Sequence, residues 1–234
     1  MMLIIEKYIC TVCGNHFILS DSDCMDSEIQ NETVLVCSGC GVIHPVIGGI
    51  PRFVPVENYT TSFGYQWSIH KKTQLDSYTG LPLSSQRLFA VTQWSDQLQG
   101  QKILEAGSGA GRFTEVLLQT GAEVFSFDYS NAVEANYNNN KEKPNLHLFQ
   151  GDIYHIPFEK ATFDKVICLG VLQHTPDPEK AFICLANLVR PGGELVIDVY
   201  RADIIAYLHW KYILRPLTKR LDKEFLYKTI LTIT

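Results

Sequence analysis

The chain has 234 residues, 46% of them hydrophobic, and a formal net charge of −5. That length holds one main domain plus a small module, and the acidic balance gives no global attraction for nucleic acid. The opening residues Met1 to Lys7 are too short an apolar run for a secretory signal, and no stretch has the uninterrupted apolar length of a membrane span, so a cytoplasmic protein is expected.

Seven cysteines are present, and the odd count, with Cys168 and Cys184 inside apolar stretches, argues against a secreted disulfide framework. Cys10 and Cys13, followed by Gly14, and Cys37 and Cys40, followed by Gly41, make two C-x-x-C-G knuckles. Four thiolates at this spacing suit one tetrahedral zinc ion with no open position, hence a structural metal. A redox role would need one such pair on a thioredoxin-like unit. Cys24, His16 and His44 are spare ligands that this reading leaves as bystanders. The segment from Val42 to Phe53, with Gly49, Ile50 and Pro51, is similar to the end of a Trm112-like zinc ribbon, with His44 where that family commonly has tyrosine. A module of residues 1–56 cannot bury enough surface alone. Metal binding is therefore expected to contribute on the order of 10 kcal/mol to its folding, and chelation to unfold it first.

Residues 57–100 change to an aromatic and polar composition. Ser84 is a plausible N-cap for a helix carrying Leu88, Phe89, Val91, Trp94 and Leu98. Such helices either lie over a ligand pocket or simply pack on a sheet. Both readings stay open for Tyr65 and Trp67, and packing is preferred for Trp94.

The core is expected in residues 101–200. Ile103, Leu104 and Ala106 form a short apolar run that stops at Gly107, Gly109 and Gly111, and a helix from Phe113 to Gln119 follows. Strand, glycine turn and helix bring bare backbone and a helix N-terminus against a ligand. Glu105 precedes the first glycine, and a carboxylate there suits a cationic amine and a hydroxylated ribose better than a pyrophosphate. Asp128 ends the next strand, at the spacing from Gly107 where an acid bonds ribose hydroxyls; capping of the following helix is the other reading. Residues 131–141 read as an exposed helix, and Leu146 to Gln150 as a third strand leading to Gly151, Asp152 and Ile153. A fourth strand from Phe163 to Leu169 precedes Gln173 and His174. Pro178 to Val189 reads as a helix, and Pro191, Gly192 and Gly193 turn the chain into a fifth strand. Asp164 is read as structural.

These ordered motifs, from about Gly100 to Tyr200, resemble class I S-adenosylmethionine-dependent methyltransferases. The resemblance implies an α/β, Rossmann-like domain with a parallel-core sheet in doubly wound order. S-adenosyl-L-methionine would lie at the carboxyl ends of strands one, two and four, held by Glu105, Gly107, Gly109, Gly111, Asp128, Asp152, Ile153 and Leu169. Asp152 and Ile153 match the family's adenine site. His174 matches the position near the methionyl end, where it serves either as a general base or only to orient its loop.

Beyond Tyr200 the resemblance thins. Residues 201–234 read as a helical, basic segment with Lys211, Arg215, Lys219 and Arg220, either a solvated face or a docking site for RNA, anionic lipid or an acidic substrate. The antiparallel strand hairpin that ends this fold is not visible there, which leaves residues 229–233 as a lone edge strand or the chain as a truncated piece. The ribbon favours methylation of RNA or protein, whereas the acidic charge and the loop before Pro178 favour a small or lipid-like acceptor, the preferred reading. A cofactor-binding partner subunit without turnover is the third.

Overall fold

The computed structural model describes residues 5–21, 33–55 and 72–199. Cys24, Tyr65, Trp67, the basic segment 211–223 and residues 229–233 lie outside the described residues. Among those described, two sheets form. The first contains β1 (Phe17–Asp21), β2 (Thr33–Cys37), β3 (Ile43–Ile47) and β4 (Ile50–Pro51), each antiparallel to the next. The second contains β5 (Lys102–Ala106), β6 (Glu123–Asp128), β7 (Leu146–Gln150), β8 (Phe163–Leu169) and β9 (Val189–Asp198) in the order β7-β6-β5-β8-β9, with all neighbours parallel. This is the expected doubly wound order. Its switch point lies beside β5, where the connections after β5 and β8 lead to helices packed in different clusters, the place where open parallel sheets bind ligands.

The strands of the second sheet read as unbroken apolar runs because both faces are covered. Ile103 and Leu104, adjacent in β5 and pointing to opposite faces, are both fully buried in different clusters. The helices are α1 (Asp76–Thr79), α2 (Leu83–Thr92), α3 (Arg112–Gln119), α4 (Ala132–Asn140) and α5 (Pro178–Ala186). None of the described helices is long and apolar enough to cross a membrane.

Four local expectations are corrected. Ser84 does not cap α2: the Asp76 carboxylate accepts from the Ser84 and Ser85 N–H groups at 2.8 and 2.9 Å, and Pro82 occupies the N-cap position. Trp94 and Leu98 lie beyond α2, which ends as Gln93 turns left-handed, yet both are buried. The helix α4 is not exposed, since Ala132, Val133, Ala135, Asn136 and Asn140 are all buried. α5 stops at Ala186 because Val189 pairs with Phe163 in the sheet. Asp164 is structural as expected, accepting from the Lys102 N–H at 2.6 Å and pairing with Arg190 at 2.5 Å.

The ribbon and the parallel sheet share one hydrophobic cluster. Tyr8, Phe17, Leu35 and Val46 pack with Phe127, Phe149 and Phe158, and Phe53 packs against the same group. Tyr8 lies 5.3 Å from Phe158 and 5.7 Å from Phe149 between ring centroids. His44 stands between Phe17 and Phe53, at 5.6 and 5.0 Å, so the position where the ribbon family has tyrosine keeps a ring for packing. The chain just after β4 touches the β7 edge of the large sheet: Arg52 forms a single parallel bridge with Gln150, and the Phe53 N–H donates to the Gln150 carbonyl at 2.9 Å.

Candidate active site and metal centre

The site begins with the turn from β5 into α3. Parallel pairing sets Glu105 beside Ser126 of β6, and the first turn of α3 lowers Thr114 toward both. The Thr114 hydroxyl donates to Glu105 Oε2, and Ser126 Oγ donates to the same oxygen at 2.8 Å. Asn136 Nδ2 of α4 donates to Thr114 Oγ1 at 2.9 Å, and Asn140 Nδ2 to Asn136 Oδ1 at 2.9 Å. A buried polar network thus supports the glycine loop from behind. Burial pushes the Glu105 carboxyl up to about 7, the nearby Asp128 charge adds to this, and the two hydroxyls oppose it. Both hydroxyl bonds fall on Oε2, and the Thr114 backbone also favours the carboxylate.

The glycines of the loop have steric causes. A Cβ on Gly107 would stand 2.3 Å from Val171 Cγ2, so the loop after β8 approaches too closely for a side chain. A Cβ on Gly111 would stand 2.3 Å from Asn136 Oδ1 and 2.5 Å from Asn140 Nδ2. Both residues also have positive φ, 77° and 89°.

Asp128 at the end of β6 holds the loop from the other side. Its Oδ2 accepts from the Gly109 N–H at 2.8 Å, and its Oδ1 accepts from the Ser130 N–H at 2.8 Å and the Ser130 hydroxyl at 2.6 Å. Asp128 does not cap α4, whose N-cap is Asn131: its Oδ1 bonds Ser130 ahead of the helix, and the Ala132 N–H donates to Ser130 Oγ at 3.2 Å. A carboxylate has about four acceptor positions, so room for a ligand hydroxyl remains. Asp152, after β7, accepts from the Tyr154 N–H at 3.0 Å and bonds His155 Nδ1 at 2.9 Å. Ile153 and Leu169 are buried in the two clusters on opposite sides of the sheet.

His174 is exposed at the end of a single 3-10 turn, Leu172–His174, that leaves the carboxyl end of β8. Its N–H donates to the Val171 carbonyl at 2.8 Å, which ties it to the residue that meets Gly107. On the same edge, Asp198 ends β9, accepts from the Gly170 N–H and pairs with Arg87 of α2 at 2.6 Å. Glu105, Gly107, Gly109, Gly111, Asp128, Asp152, Leu169 and His174 thus all stand at or just beyond the carboxyl ends of β5 to β8, with Ile153 adjoining Asp152.

Sequence reasoning did not single out Thr114, Ser126, Asn136 and Asn140. The available signal was the pair of asparagines four residues apart, which share one helix face and in the structure aim it at the glycine loop. Asp198, Arg87 and His155 carried no such signal.

In the ribbon, Cys10, Cys13, Cys37 and Cys40 bring their sulfurs within 4.8 Å of one another. Cys10 Sγ lies 3.7 Å from Cys40 Sγ, and Cys13 Sγ lies 3.3 Å from Cys37 Sγ. Tetrahedral zinc at about 2.3 Å from each sulfur requires edges of about 3.8 Å, so the four thiols fit that ion. Asn15 Nδ2 and the Gly39 N–H each donate to a sulfur at 3.4 Å, which favours thiolates. The Asn15 side chain and backbone, with Cys37, draw the Cys13 thiol down to about 6. His16 and His44 are not part of this cluster.

A family model for a methyltransferase domain matches residues 104–197. Relatives named ubiquinone biosynthesis O-methyltransferase include one of Alkalilimnicola ehrlichii, 30% identical over 148 residues that make up 57% of each chain. Another, of Coxiella burnetii, is 32% identical over 114 residues, 48% of this chain and 49% of the relative. The chain spans about half the length of the curated relatives it matches. Among solved structures, a chain from the complex between the Haloferax volcanii Trm112 methyltransferase activator and a methyltransferase aligns with a TM-score of 0.54 at 19% identity, over 67% of each chain. A candidate S-adenosyl-L-methionine-dependent methyltransferase of Methanococcus maripaludis aligns with a TM-score of 0.50 at 16% identity, over 77% of this chain and 85% of that one. At these identities the likeness establishes the fold.

Proposed function

We propose that this chain, whose residues 104–197 form a class I S-adenosylmethionine-dependent methyltransferase domain, transfers a methyl group to a small or lipid-like acceptor. The observation that carries the reading is the convergence of the Gly107–Gly111 loop with the Glu105, Asp128 and Asp152 carboxylates at the ends of adjacent strands. When bound, S-adenosyl-L-methionine supplies an electrophilic methyl group on a sulfonium.

The protein's part is binding, orientation and the exclusion of water. The Glu105 carboxylate serves the cationic end, and the remaining acceptor capacity of Asp128 takes a ribose hydroxyl. Asp152 accepts from the adenine amino group while Ile153 and Leu169 give the crevice apolar walls. The bare backbone at Gly107 and Gly109 allows close approach. His174 accepts the proton of the acceptor's nucleophile where that group must be deprotonated. The four cysteines hold a structural zinc ion, which leaves no coordination position for chemistry.

A small acceptor is supported by the net charge of −5 and by the matching stretch of relatives named for ubiquinone biosynthesis. A second reading, methylation of RNA or protein, is supported by the ribbon built onto the sheet. Calorimetry with S-adenosylmethionine, S-adenosylhomocysteine and NAD on one preparation tests the cofactor. Binding of NAD without the sulfonium compound would overturn the assignment. Methyl transfer from labelled cofactor to organic-soluble extract is expected, and label appearing only in material destroyed by ribonuclease or protease would replace the small acceptor by the macromolecular one.

A further inference from the structure

We propose that Arg52, on the ribbon, is a positioning residue for the connection that carries Asp128, so that the ribbon sets the shape of the cofactor crevice from within the same chain. Arg52 and Gln150 are 4% and 3% exposed. Arg52 Nη1 donates to Gln150 Oε1 at 2.9 Å. An arginine has no acceptor, so it fixes which end of the Gln150 amide faces it and turns Nε2 the other way. There Nε2 donates to the Tyr129 carbonyl at 2.9 Å and to Asn131 Oδ1 at 3.3 Å.

The other arm of the guanidinium reaches the far end of the same connection. Arg52 Nη2 lies 3.2 Å from Glu134 Oε1 in the first turn of α4. Residues 129–131, between β6 and α4, are therefore held at both ends by one ribbon side chain. The relay ends at the glycine loop, because Asp128 bonds both Ser130 and the Gly109 N–H. Backbone pairing of Arg52 and Phe53 with Gln150 keeps the arginine in register with β7.

Two ties join the ribbon segment to this sheet at opposite ends, which provides a control. Lys7 pairs with Glu123 at the amino end of β6, whereas Arg52 acts at the carboxyl end. The test compares R52M, Q150E and K7M with the parent in full-length, zinc-loaded protein, with zinc content measured for each. Q150E keeps an oxygen for Arg52 and replaces the donor to Tyr129 by an acceptor, so the ribbon stays docked while the second half of the relay is broken. Amide hydrogen exchange over residues 128–134 is expected to accelerate at least about 3- to 10-fold in R52M and Q150E, the effect of losing a single buried hydrogen bond where each variant loses two, and to stay at the parent rate in K7M. Affinity for S-adenosylhomocysteine is expected to weaken about 3- to 10-fold in the same two variants.

Unchanged exchange in Q150E, or equal acceleration in K7M, would overturn the proposal. If R52M does not fold, Q150E and K7M still decide. The affinity arm rests on the proposed function, but the exchange arm does not: a parent chain that binds no nucleoside refutes the methyltransferase reading and leaves the relay to be judged by exchange.

Discussion

Replacing Glu105 by Gln leaves an oxygen for the Thr114 and Ser126 hydroxyls and removes the charge. Burial holds the Glu105 carboxyl at about 7 instead of the usual 4.5. Between those two values the folded protein keeps a proton that the unfolded chain has lost. Stability contributed by this group is fully present below the unfolded pKa and is lost as pH rises through about 7. At about 1.4 kcal/mol for each pH unit, the whole effect is about 3 kcal/mol. Denaturant unfolding of the parent and E105Q from pH 5 to 8 reads it directly, because every other titrating group is common to both. E105Q is expected to gain on the parent by about 2 kcal/mol across that range. The gain should shrink when saturating S-adenosylmethionine is present, since a cation near the carboxylate favours its ionised form. Parallel stability curves for the two proteins would refute the reasoning, and would mean that water or a counter-charge reaches the carboxylate.

Two further outcomes are expected. Asp128→Ala removes a possible ribose contact together with the acceptors for Gly109 and Ser130, so calorimetry should show S-adenosylmethionine binding weakened by about 1–3 kcal/mol. Ser130→Ala, which loses the bonds of its hydroxyl to Asp128 and from the Ala132 N–H but no ligand contact, should stay within about threefold of the parent, and equal losses in both variants would leave Asp128 as an anchor of its own loop only. Removal of zinc by a strong chelator should lower the melting temperature of the parallel sheet together with the ribbon, because Tyr8, Phe17, Leu35 and Val46 belong to the same cluster as Phe127, Phe149 and Phe158. A sheet transition unmoved by chelation, monitored by near-ultraviolet dichroism, would show that the ribbon folds separately.

The parts legible in the sequence were those in which one residue type has few alternatives. Glycine at 107 and 111 was legible because a Cβ at either position meets another side chain at 2.3 Å, and the cysteine knuckles because four sulfurs must meet one ion. Strands of continuous apolar residues separated by helices made a parallel sheet covered on both faces legible, while its doubly wound order came only with the family resemblance. What could not be read was set by partners distant in the chain. Ser84 looks like a cap, but Asp76 performs the capping from another helix and leaves the Ser84 hydroxyl to accept from Arg112 at 3.0 Å. The polar face of α4 looks solvated, yet Asn136 and Asn140 turn it inward to meet Thr114. Arg52 carried no signal in the sequence, and its partners Glu134 and Gln150 stand 82 and 98 residues later.

The glycine loop by itself does not distinguish a sulfonium nucleoside from a dinucleotide, since each lies against bare backbone and a helix N-terminus. That terminus attracts an anion by about 0.3–1 kcal/mol. The carboxylates oppose it. Glu105 is buried beneath the loop and already feels the charge of Asp128, whose Oδ2 sits 2.8 Å from the Gly109 nitrogen. At an effective dielectric constant of about 20, two like unit charges about 4 Å apart repel by roughly 4 kcal/mol. A pyrophosphate lodged beside Gly109 would meet this repulsion from a carboxylate the fold cannot withdraw, because Asp128 is fixed by Ser130 and its neighbours are fixed by Gln150. A ligand with a cationic end and a neutral ribose meets attraction at the same atoms. The choice between ligands therefore rests on where the carboxylates are held, and the buried hydroxyls and amides behind the loop matter to function because they hold them.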